Sequence, residues 1–210
     1  MKMKEITQRS LPGIPMILAT IAAIVLACAV GMAGVVAGQG GGQWLVVAIL
    51  IIAASIFVCC GFYMVQPNQA AVLELFGKYV GTVKDNGLRW NNPFFSKRKV
   101  SLRVRNFESG KLKVNELDGS PIEIAAVIVW QVNDASEAVY NVDDYESFVH
   151  IQSESALRAM ATSYPYDQHE EGQLSLRSHA AEISQHLKDE LAERLADAGV
   201  QVLDARISHL

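Results

Sequence analysis

Five histidines, three cysteines and one glycine cluster are the groups in this chain with catalytic or ligand-binding potential, and their spacing decides how far that potential goes. Gly38-Gln39-Gly40-Gly41-Gly42 has the look of a phosphate loop. It lacks the Lys-Ser/Thr that would reach the phosphates and metal, and it follows an apolar run where a strand is needed. His179 and His186 lie seven apart and can share a helix face, but no third ligand accompanies them. His150, His169 and His209 are scattered. His150 lies near Ser153 and Glu154, yet there is no Gly-X-Ser-X-Gly turn to expose a nucleophile. Cys28, Cys59 and Cys60 have no metal-ligand spacing. Adjacent Cys59-Cys60 suits S-palmitoylation at a membrane interface, or else simply small apolar side chains in a helix. No catalytic, cofactor-binding or metal residue is expected, and no enzyme.

A different chemistry is offered by Trp90-Asn91-Asn92-Pro93-Phe94-Phe95 followed by Lys97-Arg98-Lys99. Aromatics beside a basic triplet suit a loop that dips into an anionic leaflet. Phe94 and Phe95 follow Pro93 on an expected turn, so at least one of them should be exposed. Trp90, Phe94, Phe95, Lys97, Arg98 and Lys99 are therefore the expected lipid contacts. The competing reading puts Trp90 and Phe94 in the core and the triplet in a solvated hairpin.

What would hold such a loop at a membrane lies upstream. The chain has 210 residues, half of them hydrophobic, with a mean hydropathy of +0.19. No charge occurs between Arg9 and Glu74. Within that gap, 14–37 and 44–65 are apolar runs of at least the ~20 residues that a helix needs to cross the hydrocarbon core. Their short glycine bridge predicts an antiparallel transmembrane hairpin. The first run is too long for the core of a cleaved leader, and the second follows at once. Lys2, Lys4 and Arg9 precede the hairpin and Lys78, Lys84 and Arg89 follow it, whereas the bridge has no Lys or Arg. The positive-inside rule then makes 1–13 a cytoplasmic basic tail and places the glycine bridge outside. In the first run Ala19, Ala23, Ala27, Gly31 and Gly34 form a small-residue ridge that suits close helix packing. A narrow pore lined by the same face is the alternative.

The net charge is −4, and because the tail carries +2 the remainder carries −6. Such an acidic domain is a poor nucleic-acid binder, since that affinity comes from Lys and Arg on phosphates. From residue 66 onward the sequence is long enough for one domain with its own core. Ala70–Phe76 is rich in strand formers, and Val100–Phe107 alternates as a half-buried strand. Asp118-Gly119 marks a turn before Pro121–Val132, which is apolar on both faces and so expected to be a central strand. Tyr145–Met160 is helical. Leu176, Ala180, Ile183, Leu187, Leu191 and Leu195 make a stripe at steps of three and four, flanked by the pair Glu190 and Arg194. Gly199 stands where a helix ends, and Val200–Ile207 returns to strand chemistry. Strands, then helices, then one strand make an α+β domain of antiparallel strands packed with helices.

Taken together, Pro67, Ala70-Ala71-Val72, Phe76-Gly77-Lys78, Gly81-Thr82, Gly87-Leu88, Trp90 and Asn92-Pro93-Phe94 resemble the start of the stomatin/prohibitin/flotillin (SPFH, band 7) domain. Asp144-Tyr145-Glu146, Ala156-Leu157-Arg158 and Gly199-Val200-Gln201-Val202 resemble its later landmarks. The resemblance covers Val65 to Leu210. It implies a membrane-anchored scaffold without a catalytic site, assembling into a ring or cage as a large homo-oligomer. It further implies organisation of membrane microdomains and, in some members, regulation of membrane-embedded AAA proteases. The family continues into a coiled-coil-forming region, so the native protein is expected to extend past Leu210. A small oligomeric channel or transporter component built on the two helices is the functional alternative.

Overall fold

The computed structural model describes residues 5–36, 41–167 and 174–209. Lys2 and Lys4 of the tail, Gly38, Gln39 and Gly40 of the bridge, and His169 lie outside the described residues. The chain forms two compact units, one of Ile6–Val100 and one made chiefly of Ser101–Leu210.

The first unit opens with a two-residue strand, β1 (Leu11–Pro12), that runs directly into helix α1 (Gly13–Val36). Helix α2 is Gly41–Cys59. Both helices are long and apolar enough to cross a membrane. Four strands come next: β2 (Phe62–Val65), β3 (Gln69–Leu75), β4 (Lys78–Val83) and β5 (Gly87–Trp90). Strand β6 (Ser96–Ser101) closes the unit. They form two three-stranded sheets, β1-β5-β2 and β4-β3-β6. Tyr63, Val65, Ala71, Leu73 and Val83 are the buried core between them, with Val80 and Phe95 packed on it.

Two expectations are corrected here. The second apolar run does not stay helical to Val65, nor does the bridge include Gly41 and Gly42, which open α2. The helix stops at Cys59, and Phe62–Val65 pairs antiparallel with β5 in the register Phe62↔Trp90 to Val65↔Gly87. Tyr63 and Val65 are buried while Met64 is exposed, the alternation of a half-buried strand. An apolar strand buried in a domain core and an apolar helix in lipid have the same hydropathy, so the run read as continuous. The second correction concerns Val100–Phe107. It is divided between β6 and a separate strand, β7 (Arg105–Glu108), and Val104 in the gap is exposed.

In the second unit β7 and β8 (Leu112–Asn115) pair with successive parts of the long strand β9 (Pro121–Val132). Strand β10 (Val200–His209) pairs antiparallel along the other side. Strand β9 is central, as its two apolar faces require. Helices α3 (Ala135–Tyr140), α4 (Tyr145–Ser163) and α5 (Ala180–Ala196) complete the unit. Asp134 and Asp144 cap α3 and α4 by accepting from the backbone N–H groups two and three residues on. A further bond donated by the Ser147 hydroxyl, together with the N–H groups of Ser147 and Glu146, holds the Asp144 carboxyl below its usual range. Ile183, Leu187, Leu191 and Leu195 are fully buried along α5. Leu176, expected on the same helix, lies in the preceding turn and is buried there. Gly199 has φ +64°, and its carbonyl accepts from the N–H groups of Asn133 and Asp134.

Candidate membrane interface

The end of α2 is gripped by the sheets that follow it. The last carbonyls of a helix lack intrahelical donors and need partners. Here the Trp90 indole N–H donates to the Val58 carbonyl at 2.9 Å, and the Lys97 ammonium donates to the Cys60 carbonyl at 3.1 Å. The Lys97 nitrogen also lies 5.4 Å from the centre of the Tyr63 ring. Burial lowers the pKa of this ammonium, with the neighbouring Cys60 thiol acting in the opposite sense. Tyr63 accepts a hydrogen bond on its hydroxyl from the buried Asn91 amide at 2.9 Å, and burial raises its pKa. Gly61 sits at the crossing, where any Cβ would run into the Asn91 carbonyl and the Trp90 ring.

The segment before α1 is held by the same sheets. Gln8 N–H donates to the Thr82 carbonyl at 3.0 Å and Thr82 N–H donates to the Ile6 carbonyl at 2.8 Å, a parallel bridge on the edge of β4. Leu11 and Pro12 then pair with Trp90 and Arg89 of β5. Both ends of the helix pair are thus tied to one small β-structure.

The expected lipid contacts separate into three kinds. Trp90 is half-buried and Lys97 partly so, and both serve the helix end. Phe95 packs on the core cluster, whereas Phe94 is 58% exposed. Arg98 and Lys99 are exposed, in strand β6 and not in a hairpin loop. The Asn92–Phe95 turn is closed by the Phe95 N–H donating to the Asn92 carbonyl and the Phe94 N–H donating to the Asn92 side chain. Two aromatics that sequence reasoning missed flank Phe94. Phe57, in the last turn of α2, has its ring centre 5.1 Å away, and Phe76 lies at 6.2 Å. The signal for Phe76 was present: an aromatic stands before Gly77 at a hairpin tip, where Asn or Asp is the usual residue.

On the helix ridge, Ala27, Gly31 and Gly34 are buried, Ala23 is half-buried and Ala19 is exposed. A Cβ on Gly31 would lie 3.2 Å from that of Ala48, and one on Gly34 would strike Trp44. Steps of four drift by about 40° each, so Ala19 is turned roughly 120° away from Gly31, and Thr20 takes its place. Thr20 is buried and donates to the carbonyls of Met16 and Ile17. Gly34→Leu should therefore weaken the helix pair by about 1–3 kcal/mol through overpacking, and Gly31→Leu by less. Thermal unfolding in detergent measures this, and equal midpoints for Ala19→Leu and Gly34→Leu would contradict it.

Three of the described histidines are used within the fold. His150 stacks on Phe107 at 3.9 Å, His179 accepts from the Ser175 N–H, and His186 shares a hydrogen bond with the Tyr164 hydroxyl. Among the described residues no group of His, Cys, Asp and Glu is placed to hold a metal ion.

Comparison with known proteins bears on residues beginning within β2. The SPFH domain / Band 7 family model matches residues 63–210, well over half of the chain. The chain belongs to the SPFH (band 7) family. The SPFH match starts inside the strand that the hydropathy pattern assigned to the membrane, in agreement with the helix ending at Cys59. Two archaeal relatives, both described as uncharacterized proteins, are each 23% identical to this chain. The one from Methanothermobacter thermautotrophicus aligns over 157 residues, 74% of this chain and 49% of its own length. The one from Methanocaldococcus jannaschii aligns over 162 residues, 77% of this chain and 79% of its own. The chain therefore spans about half of the longer relative. Its SPFH domain and two apolar helices associate it with membranes and with a scaffold-type family.

Proposed function

We propose that this SPFH protein is a membrane-anchored scaffold subunit whose two helices cross the bilayer as a hairpin and whose domain is held against the cytoplasmic leaflet. The observation that carries the reading is the attachment of Ile6–Pro12 to β4 and β5. If α1 leaves that β-structure and α2 returns to it, the tail and the domain share one side of the membrane. The flanking Lys and Arg residues make that side the cytoplasm. Assembly into a ring or cage that organises membrane microdomains extends the family resemblance, and a membrane-embedded AAA protease is the client class it suggests. A channel would need the Gly31–Gly34 face as its lining, but that face is in contact with Ala48 and Trp44.

Topology and assembly test the proposal together. In intact cells, on a background lacking native cysteine, Gly41→Cys should react with an impermeant thiol reagent and Lys2→Cys should not. The detergent-extracted full-length protein should form rings or cages in negative-stain micrographs. Labelling at position 2 would reverse the orientation, and uniformly monomeric particles would remove the scaffold.

A further inference from the structure

Phe76 is the most exposed large hydrophobic residue described, at 87%, and it holds φ +48°. It and Gly77, at φ +81°, are the two-residue connection between the paired Leu75 and Lys78. A tight hairpin of this kind requires two positive φ values, which Asn-Gly or Asp-Gly supply at least cost. A bulky aromatic in the left-handed region is an outlier. Its strain brings no burial, since the ring's recorded aromatic neighbour is Phe94, itself 58% exposed. Strained residues held against solvent point to a surface they were placed to meet.

The position of that surface follows from the strand directions. Strand β2 leads away from the end of α2, so Phe62 and its partner Trp90 mark the helix-proximal end of the unit. Phe94 follows in the next turn, and its ring meets Phe57 on α2 itself. Phe57, Phe94 and Phe76 thus form one exposed aromatic ridge continuous with an apolar helix. Whatever surrounds Phe57 also reaches Phe94 and Phe76. Lys78, Arg98 and Lys99, all exposed, lie on the strands beside the two turns.

We infer that this ridge is a second membrane footing, with the β3–β4 turn and the Asn92–Phe95 turn seated at the headgroup–acyl boundary of an anionic leaflet. The occupant is lipid, because the ridge continues a lipid-facing helix and the exposed charges beside its turns are cationic, the half-buried Glu74 of β3 being the acidic exception. The inference rests on the reading of α2 as a span. The footing would fix the domain's tilt at the membrane, which a hairpin alone leaves to its end contacts.

The test uses the full chain, with Cys28, Cys59 and Cys60 replaced by serine, reconstituted in phosphatidylcholine–phosphatidylglycerol liposomes. An environment-sensitive fluorophore is attached through Ile49→Cys, Phe76→Cys, Phe94→Cys or Asn86→Cys, and lipids with shallow or deep nitroxides serve as quenchers. Position 49, midway along α2, should be quenched by the deep nitroxide. Positions 76 and 94 should be quenched at least twofold more by the shallow nitroxide than position 86, in the β4–β5 connection beside Gly87. Quenching at 49 without quenching at 76 and 94 overturns the footing and leaves the span intact, whereas no quenching at 49 overturns the span. Labels at 76 and 94 shielded from aqueous iodide but untouched by nitroxide lipids would assign the ridge to a protein contact, which also overturns the footing. Phe76→Asn separates footing from fold: it should halve the shallow quenching at 94 and leave the thermal midpoint in detergent unchanged or higher. A lowered midpoint would make Phe76 a structural residue.

Discussion

Gly61→Val is expected to destabilise the Ile6–Val100 unit by about 3 kcal/mol or more, combining overpacking with loss of a buried hydrogen bond. The Cβ it introduces points at the Asn91 carbonyl and the Trp90 indole, and neither can yield independently. Asn91 N–H donates to the Gly61 carbonyl at 3.2 Å and the Asn91 amide donates to Tyr63, while Trp90 donates to Val58 and pairs with both Phe62 and Leu11. Moving either group therefore disturbs the helix end, strand β2 and the attachment of the N-terminal segment at once. A total stability of only 5–15 kcal/mol is usual for a domain, so the loss should be visible as a fall in the detergent melting midpoint. Trypsin should also begin to cut near Arg9 as the β4 and β5 contacts loosen. Gly42→Val is the control, because a Cβ there meets nothing within 4 Å. Equal effects at the two positions would mean that the helix end is not gripped as described.

This junction is also where the sequence was hardest to read. Hydropathy carries no information on whether an apolar stretch faces lipid or a neighbouring sheet, so Phe62–Val65 merged with α2. Pro67 bars helix at the residue before it, but the helix has already ended at Cys59. Just past that end the crossing requires glycine at 61, and the requirement comes from Trp90 and Asn91, about thirty positions later. The ridge on α1 was misjudged at its start for a local reason, since a step of four gains about 40° per turn. Phe94 and Phe95 could be predicted to divide between core and surface, but which goes where depends on the Asn92 turn and on the Tyr63–Val83 cluster. Where periodicity and burial coincide, the reading carried through. Strand β9 lies at the centre of its sheet, and α5 buries four leucine and isoleucine side chains at the spacing expected of one helix face. The α+β class rested on such elements, whereas the SPFH resemblance rested on short motifs, most of them between Pro67 and Phe94.

The second large effect is expected at Gly199, where conformation and contact act together. Its φ of +64° lies in the left-handed region, and a Cβ there would run into the Asp134 carbonyl and approach Glu137. The position closes α5, opens β10 and accepts from the Asn133 and Asp134 N–H groups, so it joins the last helix to the end of β9 and the start of α3. Gly199→Val should cost about 3 kcal/mol, from left-handed strain in a β-branched residue together with the clash. Two alanine variants separate these contributions. Gly119 also has positive φ, +87°, but a Cβ there meets nothing within 4 Å. Gly119→Ala therefore carries only the conformational penalty, whereas Gly199→Ala carries that penalty and the collision. Gly199→Ala should lower the melting midpoint more, and it should speed hydrogen exchange at the Asn133 and Asp134 amides, which Gly119→Ala leaves protected. Equal midpoints with unchanged exchange would mean that Asp134 is not packed against Gly199, and that the turn needs glycine for its backbone angle alone.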